Sequence, residues 1–442
     1  MTVSAKATDD LYTEPLGLRL YRAASRASGP IARAVLSRRL TAGKEDSARL
    51  AERMGEAASP RPQGPLCWLH GASVGESLSV LPLVERLTAR RAGLSTLVTT
   101  GTVTSAKLMA ERLPARSLHQ FVPVDHPAYV SRFLDHWQPD MALFVESEFW
   151  PNLLLETRAR APFMALINGR VSPTSFESWK KRPQTIRYLL AQFDLLIGQD
   201  RDNARRLSEL ADRDVPTFGN LKNAAAPLPA DDIALAALRA GVGGRAVLLA
   251  ASTHPGEEQT IIAAAKILAA DTPGLLVIIA PRHPARGREV EALARAAGLR
   301  TARRSAGAPL APDTELYVAD TLGELGLFYR VAGAAFVGGS LVDKGGHNPL
   351  EPARLGPAIL SGPHIFNFAE TYAEMRGAGG LALVRNEREL AAAARRLFAD
   401  ATTRDAMASA ARLTAEANGE RVLAEIVGAI DAAAAGRASI AR

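Results

Sequence analysis

The strongest constraint on the fold is an alternation of short apolar runs with amphipathic, helix-like stretches, which starts at Leu66 and continues for most of the chain. Such alternation is typical of βαβ units, and therefore of parallel sheets with helices on both faces. Helices such as Glu257–Ala269 separate the runs. The predicted strands are 66–69, 95–99, 141–145, 163–167 and 195–197, then 246–251, 275–280, 315–318, 334–337 and 358–360.

The alternation is interrupted once, around two prolines, and then restarts. Residues 223–230 have no sustained apolar period, so we predict an interdomain linker there. The length of 442 residues also favours two or three domains. In doubly wound sheets ligands bind at the carboxyl ends of the strands, so a cleft between two such domains is the expected site. The predicted regions are a basic N-terminal helical segment at 1–45 and doubly wound α/β domains at 46–225 and 226–442, the second ending in helices.

Composition excludes several classes of protein. With 47% hydrophobic and 22% charged residues, the chain is unlike an intrinsically disordered one. Its net charge of +7 is compatible with a protein that binds nucleic acid, a membrane surface or an anionic ligand, although this charge is low for a nucleic-acid-binding protein. The single cysteine, Cys67, excludes an intramolecular disulfide and is expected in the core. We expect neither a cleavable signal in residues 1–14 nor a stretch of about 18 apolar residues that could span a membrane.

Residues 16–40 form a basic amphipathic stretch that is broken at Gly29 and Pro30. Such a stretch can lie in the headgroup layer of an anionic leaflet, with its arginines reaching the phosphates. It can equally be a solvated helix pair packed on the first domain, and the residues leave both interpretations open. No acid stands among its six arginines, which are Arg19, Arg22, Arg26, Arg33, Arg38 and Arg39.

Three loops of the first domain carry candidate site residues. Glu76 begins a helix after a glycine-rich loop, where a glutamate commonly satisfies free N–H groups and a general base is the functional alternative. Glu146 and Glu148 directly follow a predicted strand, and carboxylates there are costly unless they serve a site or cap a helix. Lys222 stands just before the linker, where it is either solvated or within reach of an anionic ligand.

The loops of the second domain contain residues suited to phosphate. Arg282 follows a predicted strand, and its guanidinium group is permanently charged and can donate two hydrogen bonds to one phosphate. Residues 320–325 are expected to start a helix whose free N–H groups hold an anion or a base edge. In a later glycine-rich stretch, Asn348 and Pro349 are expected as N-cap and first helical residue, leaving Glu351 for ribose hydroxyls. These loops together predict a nucleotide ligand.

Seven stretches in this order resemble the 3-deoxy-D-manno-octulosonic acid (Kdo) transferases of Gram-negative bacteria: 70–76, 146–152, 219–222, 252–258, 281–284, 320–325 and 338–352. The resemblance implies an α/β fold of the GT-B type, with two doubly wound Rossmann-like domains facing a cleft. Residues 46–225 would bind the acceptor and 226–442 the CMP-sugar. The implied activity is an inverting, metal-independent transfer of Kdo from CMP-Kdo to the lipid A precursor, lipid IV(A), in lipopolysaccharide biosynthesis. Its implied place is the cytoplasmic face of the inner membrane.

The same resemblance implies roles for individual residues. Glu76 is the implied catalytic base, and Glu146 and Lys222 stabilise the transition state. The implied partners are the CMP-Kdo donor, the lipid acceptor and the anionic membrane surface, with no nucleic acid, cofactor or metal. The implied CMP-sugar contacts are Pro281, Arg282, Leu322, Gly323, Glu324, Asn348, Pro349, Leu350 and Glu351.

The chain departs from the family pattern at two places. Asn223 and Ala224 follow Lys222 where the family usually has an aromatic residue and an acid. At 16–40, arginines interrupt a region that is commonly an apolar anchor in the family, so we expect peripheral membrane attachment.

Other functions remain compatible with the residues. A GT-B transferase that uses a UDP-sugar, or a GT-B epimerase acting on a sugar nucleotide, would need similar loops. Outside enzymes, a basic module that binds membranes or nucleic acid is the alternative. The P-loop pattern, HExxH and closely spaced Cys/His pairs are all missing from the sequence, so ATPase and zinc chemistry have no support.

Overall fold

The computed structural model describes residues 13–307 and 310–440, with side chains up to residue 436, so the first twelve residues of the predicted 1–45 segment lie outside them. The chain divides into two compact units. One holds the described residues up to Ala226 together with those from Gly419 onwards, and the other is Pro227–Asn418. The predicted range 226–442 therefore runs beyond the end of the second unit.

The first unit is built on a six-stranded parallel sheet of order β3-β2-β1-β4-β5-β6. Two 3₁₀ helices, Ser47–Met54 and Leu221–Ala224, flank it. Its elements in chain order are α1 Leu16–Ala27, α2 Gly29–Thr41, β1 Leu66–His70, α3 Val74–Arg90, β2 Ser95–Thr100, α4 Val103–Arg112, β3 Ser117–Phe121, α5 Pro127–Trp137, β4 Met141–Val145, α6 Pro151–Arg158, β5 Phe163–Gly169, α7 Pro173–Lys180, α8 Pro183–Leu190, β6 Leu195–Gly198 and α9 Arg201–Ala211.

The second unit is built on a seven-stranded parallel sheet of order β13-β12-β11-β7-β8-β10-β9. Short 3₁₀ helices occur at Pro284–Arg286, Arg304–Ala306 and Phe366–Phe368. Its elements are α10 Asp232–Val242, β7 Val247–Thr253, α11 Glu257–Ala269, β8 Leu276–Pro281, α12 Gly287–Ala296, β9 Thr301–Arg303, β10 Leu316–Val318, α13 Leu325–Tyr329, β11 Ala334–Val337, α14 Leu350–Ala353, β12 Ala358–Ser361, α15 Ala369–Gly377, β13 Leu381–Leu383, α16 Glu387–Ala399 and the first part of α17 Ala401–Ile440.

The predicted α/β class with two parallel sheets is confirmed, and every predicted strand is present to within two residues. Three further strands, β3, β9 and β13, were not predicted. All three lie at an edge of their sheet. An edge strand is covered less completely than a central one, so it does not need the continuous apolar run by which the others are recognised.

Alternation along the strands builds a core on each face of the first sheet. Trp68 and Phe144 pack in one cluster, while Leu69 and Val145 point to the other. Cys67 lies in the second cluster with no exposed surface, and burial raises the pKa of its thiol to about 12. It is therefore a core residue, as its apolar neighbours suggested.

Helix starts follow the expected capping chemistry. The side chains of seven N-cap residues accept a hydrogen bond from a backbone N–H of the first turn: Ser73, Thr102, His126, Ser172, Asp200, Asp231 and Asn386. Because α3 and α4 each follow a strand of the first sheet, Ser73 and Thr102 fix the direction in which the chain leaves the carboxyl end of that sheet.

The helix α17 contributes to both units. Its residues from Gly419 onwards count with the first unit, where Val422, Ile426 and Ile430 are fully buried among core residues of β1 and α3. The predicted C-terminal helices are thus present, and their last part completes the core of the first unit.

The basic N-terminal stretch forms two helices, α1 and α2, that meet at Ser28, beside the predicted break at Gly29 and Pro30. Each helix exposes an apolar pair at i,i+4 spacing: Leu16 and Leu20 on α1, Ile31 and Val35 on α2. The inner faces pack through Leu18 and Leu36. Among the described residues, no helix is both long and apolar enough to span a membrane.

The six arginines of these helices divide into two groups. Arg22 pairs with Glu14 and Glu156, and Arg39 pairs with Glu45 at 2.6 Å. The other four are exposed on the helix surfaces: Arg19, Arg26, Arg33 and Arg38.

Candidate active site

Glu76 lies in the first turn of α3, behind the loop that follows β1. The Ser73 hydroxyl donates to Glu76 Oε1 at 2.7 Å, and the backbone N–H of Ala72 donates to Oε2 at 2.7 Å. This is a variant of the capping box, because the carboxylate reaches back to the residue before the N-cap. The residue is only 8% exposed, and these two hydrogen bonds hold its side chain in one orientation. Each oxygen still has an unused lone pair, so the cap does not exclude a role as proton acceptor.

Glu146 follows β4 and forms an ion pair with Lys222, whose Nζ lies 2.7 Å from Glu146 Oε1. The backbone of Glu146 has φ of 61°, a left-handed conformation that is unfavourable for a residue with a side chain. Its N–H donates to the Ile167 carbonyl at 3.3 Å, and its own carbonyl accepts from the Arg170 N–H at 3.3 Å. These contacts hold a strained residue in place, as is common at functional sites.

Lys222 is presented by the 3₁₀ helix Leu221–Ala224. The Asn220 side chain caps this helix, and Asn168 Oδ1 accepts from the Leu221 N–H at 2.9 Å. Leu221 and Ala224 pack on the core, so the segment keeps its place without the aromatic residue and acid that the family usually has after Lys222.

A glycine links this lysine to the turn that carries Glu76. A Cβ at Gly75 would lie 3.9 Å from Lys222 Nζ, so the lysine ammonium borders the first turn of α3. The structure therefore brings together the three residues predicted to be catalytic: Glu76, Glu146 and Lys222. A fixed carboxylate next to a cation–carboxylate pair can accept a proton and stabilise developing charge.

Glu148 has a different environment from Glu146. Burial alone would raise its pKa, but His70 and the Trp150 N–H lower it, and the net pKa is below the usual range. Trp150 Nε1 donates to Glu148 Oε2 at 2.6 Å, and His70 Nε2 lies 3.4 Å from the same oxygen. His70 is buried at the end of β1, with Nδ1 3.0 Å from Thr99 Oγ1. We predicted no role for His70, because a lone histidine after a strand gives no signal of its partners.

In the second unit, Glu257 holds two loops together. It is fully buried, and its carboxylate accepts hydrogen bonds from four backbone N–H groups. His254 and Gly339 donate to Oε2 at 2.9 and 2.7 Å, and Ser340 and Leu341 donate to Oε1 at 2.9 Å each. The loop after β7 is thereby tied to the loop after β11. Sequence reasoning missed this role, because the partners lie 82 to 84 residues away along the chain.

The adjacent Glu258 is also fully buried. Its Oε1 accepts from Arg286 Nη1 at 2.6 Å and from the Thr253 hydroxyl at 2.9 Å. Glu257 and Glu258 thus use their charges inside the protein, which leaves other residues to face a ligand.

Arg282 carries an exposed positive charge in this region. It follows β8, its backbone N–H donates to the Thr253 carbonyl at 2.9 Å, and its side chain is exposed. It makes no ion pair with any other described residue. Pro281, predicted as a neighbouring contact, is buried as the last residue of β8.

The stretch after β10 contains three more predicted contacts. Leu322 is 81% exposed, and Gly323 has φ of 81°, which suits glycine. Glu324 is bound by Arg304 at 2.5 and 3.0 Å and by the Thr321 hydroxyl. The hydrogen bonds from Arg304 are the main reason that the pKa of Glu324 is lowered.

The last group of predicted contacts surrounds α14. Asn348 Oδ1 accepts from the Leu350 N–H at 3.0 Å, as expected of a cap, although the helix itself begins at Leu350 rather than at Pro349. Burial raises the pKa of Glu351, while Arg282 and Arg354 oppose that shift. The helices α13 and α14 have only five and four residues, so their N-termini offer less to an anion than the sequence suggested.

Comparison with known proteins finds glycosyltransferases among families, sequence relatives and solved structures. A family model described as "3-Deoxy-D-manno-octulosonic-acid transferase (kdotransferase)" matches residues 48–225. The chain is 36% identical to a 3-deoxy-D-manno-octulosonic acid transferase of Rickettsia bellii, over 79% of this chain and 83% of that protein. It is 35% identical to one of Bordetella pertussis, over 80% and 85%. A glycosyltransferase structure from Rickettsia africae shares the fold, with TM-score 0.57, 11% identity and coverage of 84% and 99%.

Proposed function

Because the chain belongs to the 3-deoxy-D-manno-octulosonic acid (Kdo) transferase family, and is therefore a glycosyltransferase of the GT-B fold, we propose that it transfers Kdo from CMP-Kdo to the lipid A precursor lipid IV(A). The transfer inverts the anomeric centre and uses no metal. The observation that carries this proposal is the convergence of Glu76, Glu146 and Lys222 at one edge of the first sheet.

In the proposed reaction Glu76 is the general base. A hydroxyl of the acceptor attacks the anomeric carbon of Kdo, the bond from that carbon to the phosphate oxygen breaks, and CMP departs. The hydroxyl proton passes to the Glu76 carboxylate. The bonds from Ser73 and Ala72 support this role, because they aim the carboxylate without using all of its lone pairs.

Lys222 and Glu146 act on the sugar. Kdo carries a carboxylate beside its anomeric carbon, and a lysine ammonium is a suitable partner for it. The ion pair with Glu146 fixes the ammonium before the substrate arrives, so little reorganisation is needed in the transition state.

The second unit binds the CMP part of the donor in this proposal. Arg282 supplies a fixed positive charge for the phosphate, and its exposed guanidinium supports that role. In this proposal Glu351 and Asn348 bind hydroxyl groups of the nucleoside. Glu324 is already bound by Arg304, so we assign it to the shape of the loop that presents Leu322 and Gly323.

The direct test is incubation of the purified protein with freshly generated CMP-Kdo and a tetraacylated lipid A precursor, followed by mass analysis of the lipid. We expect the mass increment of Kdo on the lipid and release of CMP that depends on the acceptor. A protein that turns over UDP-sugars and leaves CMP-Kdo intact would overturn the proposal.

We further propose that α1 and α2 attach the protein to the cytoplasmic face of the inner membrane as a peripheral protein. Four large aliphatic side chains and four arginines are exposed on these helices, which suits the headgroup region of an anionic leaflet.

Vesicle flotation tests this attachment. Replacing Leu16, Leu20, Ile31 and Val35 by serine should release the protein from vesicles that contain anionic lipid. Ile233→Ser removes an apolar side chain elsewhere that is more exposed than any of these four, and it should leave binding unchanged. Equal flotation of the quadruple variant and the unaltered protein would refute attachment through these helices.

A further inference from the structure

Two histidines of the second unit are in direct contact, and the proposed function gives neither of them a role. His254 follows β7 and His347 lies in the loop after β11, 93 residues later. Their Nε2 atoms are 3.0 Å apart, and the ring planes differ by only 9° with centroids 5.2 Å apart. Both side chains are partly exposed.

The distances define how the rings meet. Rings stacked face to face keep their atoms about 3.5 Å apart or more, so a 3.0 Å contact between parallel rings is an edge-to-edge N–H···N hydrogen bond. One Nε2 must carry a hydrogen and the other must accept it. The pair can therefore be neutral or carry one positive charge, but two imidazolium rings cannot keep this contact.

The charged groups around the pair are mostly cationic. Arg282 and His283 follow β8 and Lys344 lies in the loop after β11, and all three disfavour a charge on His254. The exception is Glu257, which favours it but already accepts four backbone hydrogen bonds. Burial, together with His254 and Arg282, lowers the pKa of His347 to about 4. Burial is also the main cause of the lowered pKa of His254.

The backbone is shaped to admit the pair. Gly339 has φ of 70°, and a Cβ there would lie 3.2 Å from His347 Cδ2 and 3.5 Å from His254 Cδ2. A Cβ at this position would crowd the His347 ring and touch the His254 ring at an ordinary van der Waals distance. Glu257, which binds the N–H groups of His254 and Gly339, fixes the same two loops.

We propose that His254, His347 and Arg282 form the subsite for the phosphate of a cytidine monophosphate group, and that the histidine pair takes up one proton from solvent when this phosphate binds. The inference rests on the proposed function, because it takes CMP as the ligand. An anion brought next to the pair offsets the surrounding positive charge and favours the charged form of the imidazoles. CMP should then bind best where the pair can be protonated, and its affinity should fall as the pH rises through the pKa that the pair has in the complex.

Calorimetric titration with CMP, in two buffers of different ionisation enthalpy, measures this proton uptake. The variant for comparison is His347→Gln, whose amide reaches the region of Nε2 but cannot take up a proton. We expect the unaltered protein to take up more protons than this variant between pH 5.5 and 7.5, by a difference approaching about one per CMP. We expect the variant to bind CMP about tenfold more weakly at pH 6, with a smaller difference at pH 8.

Three controls make the result specific. Cytidine lacks the phosphate and should bind without the extra uptake. His136→Gln alters a partly exposed histidine of the first unit, bound to the Ser59 carbonyl, and should behave as the unaltered protein. In the unaltered protein with labelled histidines, the magnetic resonance signals of two imidazoles should titrate at higher pH once CMP is added. This measurement uses only the unaltered protein, so it does not depend on whether a variant folds.

The outcomes separate the inference from the proposed function. Binding of CMP with equal proton uptake by the unaltered protein and the variant, or equal uptake with cytidine, would overturn the inference and leave the transferase proposal standing. A protein that binds no CMP at all would overturn both.

Discussion

The two sheets support their loops in different ways. In the first unit one carboxylate, Glu76, both caps a helix and occupies the candidate site of chemistry. In the second unit these tasks are divided: Glu257 and Glu258 are buried and hold the loops, while Arg282 is exposed. Substitutions in the first unit should therefore change stability and chemistry together. Substitutions in the second unit should change either stability or ligand binding, depending on whether they affect a buried glutamate or Arg282.

Glu76 gives the largest expected effect and the sharpest test of this overlap. Glu76→Ala should abolish transfer, a loss of about 10²–10⁴ in kcat, because a general base is removed, while CMP binding stays intact. It should also cost about 1 kcal/mol of stability through the lost cap. Glu76→Gln can still accept a hydrogen bond from Ala72, so it should restore stability without restoring turnover.

The control for this test is another helix cap. Asp231→Ala removes the N-cap of α10 and should lower stability by a similar amount with turnover unchanged. Turnover retained by Glu76→Ala would refute the role of Glu76 as base.

Glu257 tests the division of tasks in the second unit, where a buried carboxylate holds the loops and takes no part in the chemistry. Glu257→Ala leaves four N–H groups without their acceptor, two of them in buried bonds, and we expect a loss of about 3–5 kcal/mol in the stability of the second unit. All four tryptophans, Trp68, Trp137, Trp150 and Trp179, lie in the first unit. Circular dichroism should therefore show an early unfolding step that tryptophan fluorescence does not.

The matched control is Glu289→Ala, which removes an exposed carboxylate bound to Arg286 and should lower stability far less, because solvent screens an exposed ion pair. If Glu257→Ala were no more destabilising than Glu289→Ala, the buried carboxylate would not hold the loops.

The pair of Lys222 and Glu146 is expected to act as one unit. Lys222→Met and Glu146→Gln should each lower kcat by about 10²–10³, and the double variant should lose much less than the product of the two. Steady-state kinetics of the four proteins measures this coupling. Lys180→Met, in the exposed pair with Glu209, is the control and should leave kcat unchanged. Independent, multiplicative losses would show that the pair does not act together.

Arg282 has the smallest expected effect, confined to donor binding. Arg282→Ala should raise the KM for CMP-Kdo by about 10- to 100-fold through loss of a charged hydrogen-bonding group, with little change in stability. Arg282→Lys should recover only part of this, because an ammonium lacks the planar fork. Arg295→Ala, an exposed arginine of α12, should leave the KM unaltered. An unchanged donor KM in Arg282→Ala would count against its role.

The sequence predicted the central parts of the fold better than the edges. The buried strands β4 and β11 were predicted residue for residue, because both faces of a parallel sheet are covered and the apolar run is continuous. Ser117–Phe121 was missed because three of its five residues are only partly buried. Local signals also identified the Asn348 cap, whose hydrogen-bond donor, the Leu350 N–H, is only two residues away.

Contacts distant in sequence were beyond such reasoning. The bonds from Glu257 to Ser340 and between His254 and His347 depend on two βα loops being brought side by side by the sheet order. A glutamate in a first helical turn has the same local pattern whether it caps its own helix, as Glu76 does, or ties two loops together, as Glu257 does.

The course of α17 has a consequence for synthesis of the protein. Val422, Ile426 and Ile430 complete a core whose other members, such as Leu69 and Val80, precede them by more than three hundred positions. During translation the first unit cannot close that core until residues up to Ile430 have left the ribosome. The second unit is continuous from Pro227 to Asn418, so it can fold before the first unit has completed its core. A chain cut after Asn418 would leave the apolar face of α3 uncovered and prone to self-association.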